Sequence, residues 1–306
     1  MERIEEMSRL ARPTVVTIGS FDGVHRGHRH LIERARAMAG QMGLDLVVVT
    51  FDPLPRAVLE PDATGYVITA SDLKLELIAE LGGRRVKVIP FTPEFSRISA
   101  ERFMEEELAE SLQVRGIVVG QDFSFGHQGR GTPDLLSAWG ASNRVAVEVV
   151  SPVADEDGIV ISSSRIRAAV RGGDLATAER LMGRPLQARG RVSSGAGRGR
   201  KIGVPTANVP IDRYQLMPPY GIYAGEALVG LEGKYPAVAS WGIRPTFADL
   251  VEPLLEVHLI ETERYIVGEQ LSFRFGSWLR EERTFPRVEE LVRQMQEDII
   301  RAKALY

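Results

Sequence analysis

Cysteine is missing from the 306-residue chain, and histidine is scarce at five residues. The first absence excludes disulfides, thiolate metal sites and a cysteine nucleophile. No run approaches the roughly 18 apolar residues that a membrane span requires. The opening MERIEEMSRL mixes charges where a signal peptide would have an apolar core. A cytoplasmic protein with no membrane partner is therefore expected. An excess of one charge sign is also lacking: the net charge of −3 offers no overall attraction to nucleic acid. What is present is ordinary for a soluble globular protein, with 44% hydrophobic and 26% charged residues. The length is comfortable for two domains.

Two halves obey different local grammars. Up to about residue 182, short runs rich in β-branched residues (PTVVTI, LDLVVVTF, RVKVIPF, VRGIVVG, RVAVEVV) alternate with helix-period segments. The runs alternate only weakly between polar and apolar, as strands covered on both faces do. Ser71 and Ser99 are placed as N-caps, and Thr132–Pro133 as a cap followed by proline at the first helical position. This order predicts an α/β, Rossmann-like parallel sheet over residues 1–183, with ligands beyond the carboxyl ends of its strands. From residue 184 to 306, short alternating strands with glycine and proline turns predict a small antiparallel β-barrel. RVEELVRQMQEDIIRAKAL closes the chain as an amphipathic helix.

Three of the five histidines lie in TIGSFDGVHRGHRHLI, between the first predicted strand and the first helix. Glycines let a ligand approach the backbone there, and the free amides of the helix start favour an anion. His25 and His28 are spaced to share one helix face. Imidazoles beside such amides suit a phosphate whose charge grows during reaction. Solvated histidines, a zinc site with Asp22 as third ligand, and plain turn punctuation are the competing readings. ISSSRIRAAV opens a later helix with Ser162, Ser163, Ser164 and Arg165, a set able to cap a helix or hold phosphate oxygens. VVGQDFSFGHQGRGT leaves another strand for a glycine-rich loop.

The second half has its own cluster in GRGRKIGVPTANV. Residues 184–211 hold six basic side chains and no acid. No Walker A loop is present, so a kinase here needs another phosphate cradle. Single-stranded RNA binding by the basic segment is one alternative, and a barrel hairpin with solvated arginines is another. Thr206 and Asn208 sit in an apolar run, and Glu256 lies inside the apolar strand LLEVHLI. A carboxylate in such a strand is costly unless paired, protonated or used. An outward-facing glutamate is the plain alternative.

G-x-F-D-G-x-H-x-G-H, VVGQDFSFG and ISSSRIR together resemble the nucleotidyltransferase half of prokaryotic bifunctional riboflavin kinase/FAD synthetases. GVPTANV, PPYGIYAGEA, GIRPTF, LEVHLI and LREERTF resemble the kinase half. The resemblance implies that riboflavin and ATP give FMN, and that FMN and ATP give FAD and pyrophosphate. It implies that His25 and His28 contact the phosphates and that Gly19, Ser20, Phe21, Asp22 and Gly23 shape the adenylyl pocket. Ser162, Ser163, Ser164 and Arg165 would hold the outgoing pyrophosphate. In the second half it implies an ATP loop with Lys201, Gly203, Pro205, Thr206 and Asn208, the last two carrying Mg²⁺. Glu256 would be the general base, and Arg280, Glu282 and Phe285 would lie near the flavin. Nucleic acid is not an implied partner.

Five places depart from the family pattern, the mildest being Ser20 in the opening motif, where asparagine is common. Leu54 stands where a histidine is usual in F-x-P-H-P, which raises the alternative of a kinase with a weakened adenylyltransferase half. Ser240 replaces an asparagine, YIVG (265–268) replaces D-L-Y-G, and Leu186 replaces a tyrosine.

Overall fold

The computed structural model describes the chain except residues 5–9, 61, 196, 231–232, 246–250 and 263, and the side chains at 198, 201, 244, 245, 251 and 252. It forms two compact units, Met1–Ser164 and Arg165–Tyr306. The division falls upstream of 183/184, so the helical pair Ser163–Arg171 and Leu175–Met182 lies almost wholly in the second unit.

The first unit is a parallel sheet of β1 (Glu2–Ile4), β2 (Thr14–Ile18), β3 (Asp45–Phe51), β4 (Arg85–Ile89), β5 (Val114–Gly120) and β6 (Ala146–Val150), in the order β1-β4-β3-β2-β5-β6. Five strands follow the apolar runs. β1 was not expected: its three residues read as polar, yet it pairs with β4 at the sheet edge, and Arg85 binds Glu2 through two nitrogens. Along β2 the burial alternates between layers. Val15 joins Val48, Val86 and Val118 under helix α1 (Arg26–Met42), while Val16 and Ile18 face Phe103, Leu108 and Leu136 on the other side. Helices on both faces explain why these strands read as continuous apolar runs.

Helix starts are partly as expected. Ser99 caps the Arg102 amide before α4 (Ala100–Arg102), and Thr132 caps Leu135 before α5 (Pro133–Asn143). Ser71 is not a cap. It is the first residue of α3 (Ser71–Glu80), Ala70 precedes it as cap without a side-chain bond, and the Ser71 hydroxyl donates to Asp52. After α4 the chain winds as a π-helix over Phe103–Ser111, with Leu112 N–H bonded to Glu107 O.

The second unit is an antiparallel sheet of β7 (Gln187–Arg191), β8 (Ala207–Val209), β9 (Gly221–Val229), β10 (Gly233–Pro245), β11 (Val251–Leu259) and β12 (Gln270–Arg280), in the order β7-β12-β9-β10-β11-β8. Ser193, just past β7, bridges Asn208 on β8, so the sheet curls until its two ends meet. This is the expected barrel. The terminal helix Val288–Lys303 packs on β9 and β10, and Asp298, buried within it, takes a forked hydrogen bond from Arg280 on β12.

Candidate active sites

Strand order in the first unit reverses at β2, whose neighbours β3 and β5 continue in opposite directions. Crevices at such switch points, beyond the strand carboxyl ends, are where open α/β sheets bind ligands. A cavity of about 620 Å³ lies here, lined by Gly19 and Ser20 after β2, Gly120 at the end of β5, and Phe21, His28 and Ser163.

The turn after β2 is tightly made. Phe21 (φ 48°), Gly23 (φ 89°) and Val24 (φ 37°) all have positive φ. For a β-branched residue such as Val24 this is strained backbone, which persists where its surroundings enforce it. Asp22 is one enforcer: its buried carboxylate accepts from the amides of Ile68 and Thr69. Ser163 is another, donating to the Asp22 carbonyl at 2.9 Å. Asp22 thus latches the turn, and it does not line the cavity.

His25 is the N-cap of α1, with Nδ1 accepting from the His28 amide at 3.3 Å. That bond leaves the neutral ring's proton on Nε2. The His25 and His28 rings stack at 3.6 Å between centroids, and Phe21 meets His28 edge-on at 5.3 Å. Gly27 makes the stack possible, since a Cβ there would lie 3.1 Å from the His25 ring. Ser162 is half-buried, Ser164 exposed and Arg165 half-buried. None of these three lines the cavity, and Arg165 is the first residue of the second unit.

Two features escaped the sequence reading. Phe51, Phe91, Phe95, Phe103, Phe123 and Phe125 line the cavity as a chain of ring contacts with neighbouring centroids 5.3–6.4 Å apart. With Phe21, seven of the chain's eleven phenylalanines line this cavity, and Phe103 and Phe125 also belong to the unit's hydrophobic core. Lys74 is buried and donates to the Phe51 carbonyl at 2.8 Å, fixing the end of β3. Burial pushes its pKa down, against the opposing pull of Asp52 and Asp22. Leu54, the variant position, is 5% exposed as N-cap of α2 (Pro55–Leu59) and does not line the cavity.

The barrel holds a larger cavity of about 1010 Å³. Glu256 and His258 are half-buried on β11 between the buried Leu255, Val257 and Leu259, so the period-two pattern turns both toward the cavity they line. Across the sheet Glu256 is level with Asn208 on β8 and Ser240 on β10. Thr206 Oγ1 donates to Glu256 Oε1 at 3.4 Å. The preceding loop folds on itself: Gly203 has φ 80°, Val204 N–H bonds Gly199 O at 2.9 Å, and a Cβ on Gly199 would meet Val204 O at 2.4 Å. The Arg200 guanidinium lies over the Tyr265 ring at 5.8 Å. His258 Nδ1 is 2.7 Å from the Pro205 carbonyl, and burial pushes its pKa below the ordinary imidazole range. Gly203, Pro205, Thr206, Asn208 and Glu256 all line the cavity. The Lys201 side chain and residues Thr246 and Phe247 of GIRPTF lie outside the described residues.

Arg280, Glu282 and Phe285 do not line this cavity. Arg280 is committed to Asp298 of the terminal helix, through Nη2 to Oδ2 at 2.7 Å. Glu282 accepts from Ser240 Oγ at 2.8 Å and lies against Gly242, where a Cβ would come 2.0 Å from its carboxylate. Phe285 is half-buried. The row Asn208–Glu256–Ser240–Glu282 therefore links the cavity to the Glu282 side of the sheet.

A family model described as FAD synthetase matches residues 7–165, and one described as riboflavin kinase matches residues 182–306. A bifunctional riboflavin kinase/FMN adenylyltransferase from Pseudomonas fluorescens is 36% identical over 298 residues, covering 96% of this chain and 93% of its own. The protein so named from Listeria monocytogenes is 37% identical over 287 residues, covering 93% and 90%. A crystal structure described as a macrolide-efflux protein from Streptococcus pneumoniae superposes with a TM-score of 0.82 at 32% identity, over 97% of this chain and 96% of that one. Among the described residues no helix is long and apolar enough to cross a membrane. By sequence over nearly its whole length, the chain belongs to the bifunctional riboflavin kinase/FMN adenylyltransferase family, an FAD synthetase half followed by a riboflavin kinase half.

Proposed function

We propose that riboflavin is phosphorylated in the 1010 Å³ cavity of the barrel and that FMN is adenylylated in the 620 Å³ cavity of the parallel-sheet unit. The observation that carries the first assignment is the meeting of Glu256, Asn208 and Thr206 on one cavity wall. Glu256 takes the proton of the ribityl 5′-hydroxyl as that oxygen attacks the γ-phosphate of ATP. The glycine-rich arm from Gly199 to Thr206, with Lys201, holds the nucleotide phosphates.

Thr206 and Asn208 offer neutral oxygen donors beside a carboxylate, a set that suits Mg²⁺, which takes few protein ligands and completes its shell with phosphates and water. Bound there, the ion would neutralise charge on the phosphate oxygens. Asn208→Ala is expected to raise the Mg²⁺ concentration for half-maximal FMN formation about tenfold or more. Titrating metal at saturating ATP checks this, and an unchanged requirement would remove Asn208 from the metal site.

In the first unit, the phenylalanine slot takes the isoalloxazine ring of FMN, and His25 and His28 receive the phosphates at the helix start. The FMN phosphate attacks the α-phosphate of ATP, and pyrophosphate leaves toward Ser162, Ser163, Ser164 and Arg165. Gly19, Ser20, Phe21 and Gly23 shape the adenylyl pocket, with Asp22 holding their turn. Leu54 is buried and does not itself line the cavity, although its neighbour Pro55 does, so on this reading the adenylyl site does not depend on an imidazole at that position. Leu54→His is expected not to raise FAD output from supplied FMN, and chromatography of the two flavin nucleotides reads this directly. A clear rise would favour a kinase with a weakened adenylyltransferase half.

Arg280, Glu282 and Phe285 border the flavin end of the kinase site, with Arg280 acting through its hold on the terminal helix. The functional division is 1–183 and 184–306, the cytoplasm is the place of action, and nucleic acid is not a partner. Arg189 and Arg191 of the basic segment are bonded to Ser272 Oγ and the Gly268 carbonyl, which argues for a structural use of those charges.

A further inference from the structure

The backbone pairing between β11 and β8 stops early. Its register runs Leu255 with Val209, Glu256 with Asn208 and Val257 with Ala207. Continued, it would set Thr206 opposite His258 and Pro205 opposite Leu259. Proline has no N–H to give a neighbouring strand. The ladder thus ends at the residues the kinase site most needs held in place. There a side chain takes over from the backbone, as His258 Nδ1 lies 2.7 Å from the Pro205 carbonyl oxygen. A carbonyl only accepts, so Nδ1 carries the ring's proton.

The segment held in this way lies just before the paired residues of β8 and turns back on itself. Gly197 and Gly203 both have positive φ, and Val204 bonds back to Gly199. A second link to β11 is the long bond from Thr206 to Glu256, at 3.4 Å. A hydrogen bond of 3.4 Å is near the limit of useful strength, whereas 2.7 Å is short and firm.

We infer that His258 is a positioning residue for phosphoryl transfer: by clamping the Pro205 carbonyl it fixes the Gly203–Thr206 arm, and with it the Thr206 hydroxyl beside Glu256. The inference rests on the reading of Glu256 and Thr206 as the kinase centre. Its consequence is specific. Loss of the clamp loosens the arm that receives ATP, and leaves the riboflavin end and the adenylyl unit as they were.

Two replacements separate the clamp from the bulk of the ring. In His258→Asn the side-chain amide N–H stands close to the place of Nδ1, so the clamp survives. In His258→Gln the amide lies one methylene further out, and the clamp is lost. In the full chain, His258→Gln is expected to raise the KM for ATP in riboflavin phosphorylation about tenfold. The KM for riboflavin and the rate of FAD formation from supplied FMN stay unchanged, and His258→Asn stays within about threefold of the parent. With no nucleotide or metal present, amide hydrogen exchange at Val204, Thr206 and Ala207 is faster in His258→Gln by a similar factor and near parental in His258→Asn.

Parental KM and exchange in a folded His258→Gln overturn the clamp, and so does a His258→Asn variant as impaired as His258→Gln. If His258→Gln fails to fold, His258→Asn alone decides, and a tenfold rise in its KM for ATP counts against the inference. Glu256→Gln is measured alongside. Should it keep about a tenth or more of FMN formation, the reading of the kinase centre fails. Should it be inactive while His258→Gln is normal, only the clamp fails.

Discussion

Glu256→Gln is expected to lower FMN formation from riboflavin by about 10³-fold, the range in which a lost general base falls. Formation of FAD from supplied FMN should stay within about twofold of the parent. Glutamine keeps the size of the side chain and an oxygen able to accept from Thr206, so the 3.4 Å contact and the packing between Leu255 and Val257 survive. What is lost is the capacity to take a proton. The loss should appear in kcat and in kcat/KM alike, because the base acts in the transition state and contributes little to ground-state binding. One chromatographic assay, run once from riboflavin and once from FMN, gives both rates. Joint loss of the two activities in a folded variant would contradict two separate centres, and retention of a tenth or more of FMN formation would contradict the base assignment.

Much of this arrangement was legible before any coordinates. The alternation of β-branched runs with helical segments gives the doubly covered parallel sheet, because strands buried on both faces must be apolar along their whole length. The turn chemistry of TIGSFDGVHRGH places the histidines at a helix start, where His25 is found as the cap. Glu256 stood out because a carboxylate within LLEVHLI is costly unless paired, protonated or used, with an outward-facing position as the plain alternative, and it does line a cavity.

What remained hidden depends on which chain segments meet. Phe51 ends β3, Phe91 and Phe125 follow β4 and β5, and no local period reports that their rings line one cavity. β1 is three residues long with two charges, and only its pairing with β4 makes it a strand. Ser71 carries the composition of a cap, but its hydroxyl had a better partner in Asp52, across a turn the sequence does not display. Arg280 belongs to a motif that the family resemblance alone sets near the flavin, and its guanidinium is held by Asp298, a residue that reads only as part of an amphipathic helix. The π-helical turns at Phe103–Ser111 share the apolar spacing of an α-helix closely enough to pass for one.

The second large effect is expected at the histidine stack. His28→Ala should reduce FAD formation from FMN by about 10²–10³-fold, the cost of removing one preorganised donor to a developing charge. Riboflavin phosphorylation should be untouched. His25 needs a different replacement, because its ring has an observed role as a cap beside the proposed one at the phosphates. Nδ1 caps helix α1 by accepting from the His28 amide, and the proposed phosphate contact falls to Nε2–H. Alanine would remove both, and an N-cap alone contributes about 1 kcal/mol to stability. Asparagine caps as well as any residue but is too short to reach where Nε2 lies. His25→Asn should therefore unfold at the parental temperature and still lose FAD formation by a factor comparable to His28→Ala. Thermal unfolding and the FMN-started assay on the same sample separate the two roles. If His25→Asn kept parental FAD formation, the His25 ring would be a cap and nothing more, and charge stabilisation would rest on His28 and the helix-start amides. If both variants kept it, the cavity lined by the phenylalanines would have to hold its phosphates elsewhere, and the strained turn from Phe21 to Val24 would lose the function that accounts for its strain.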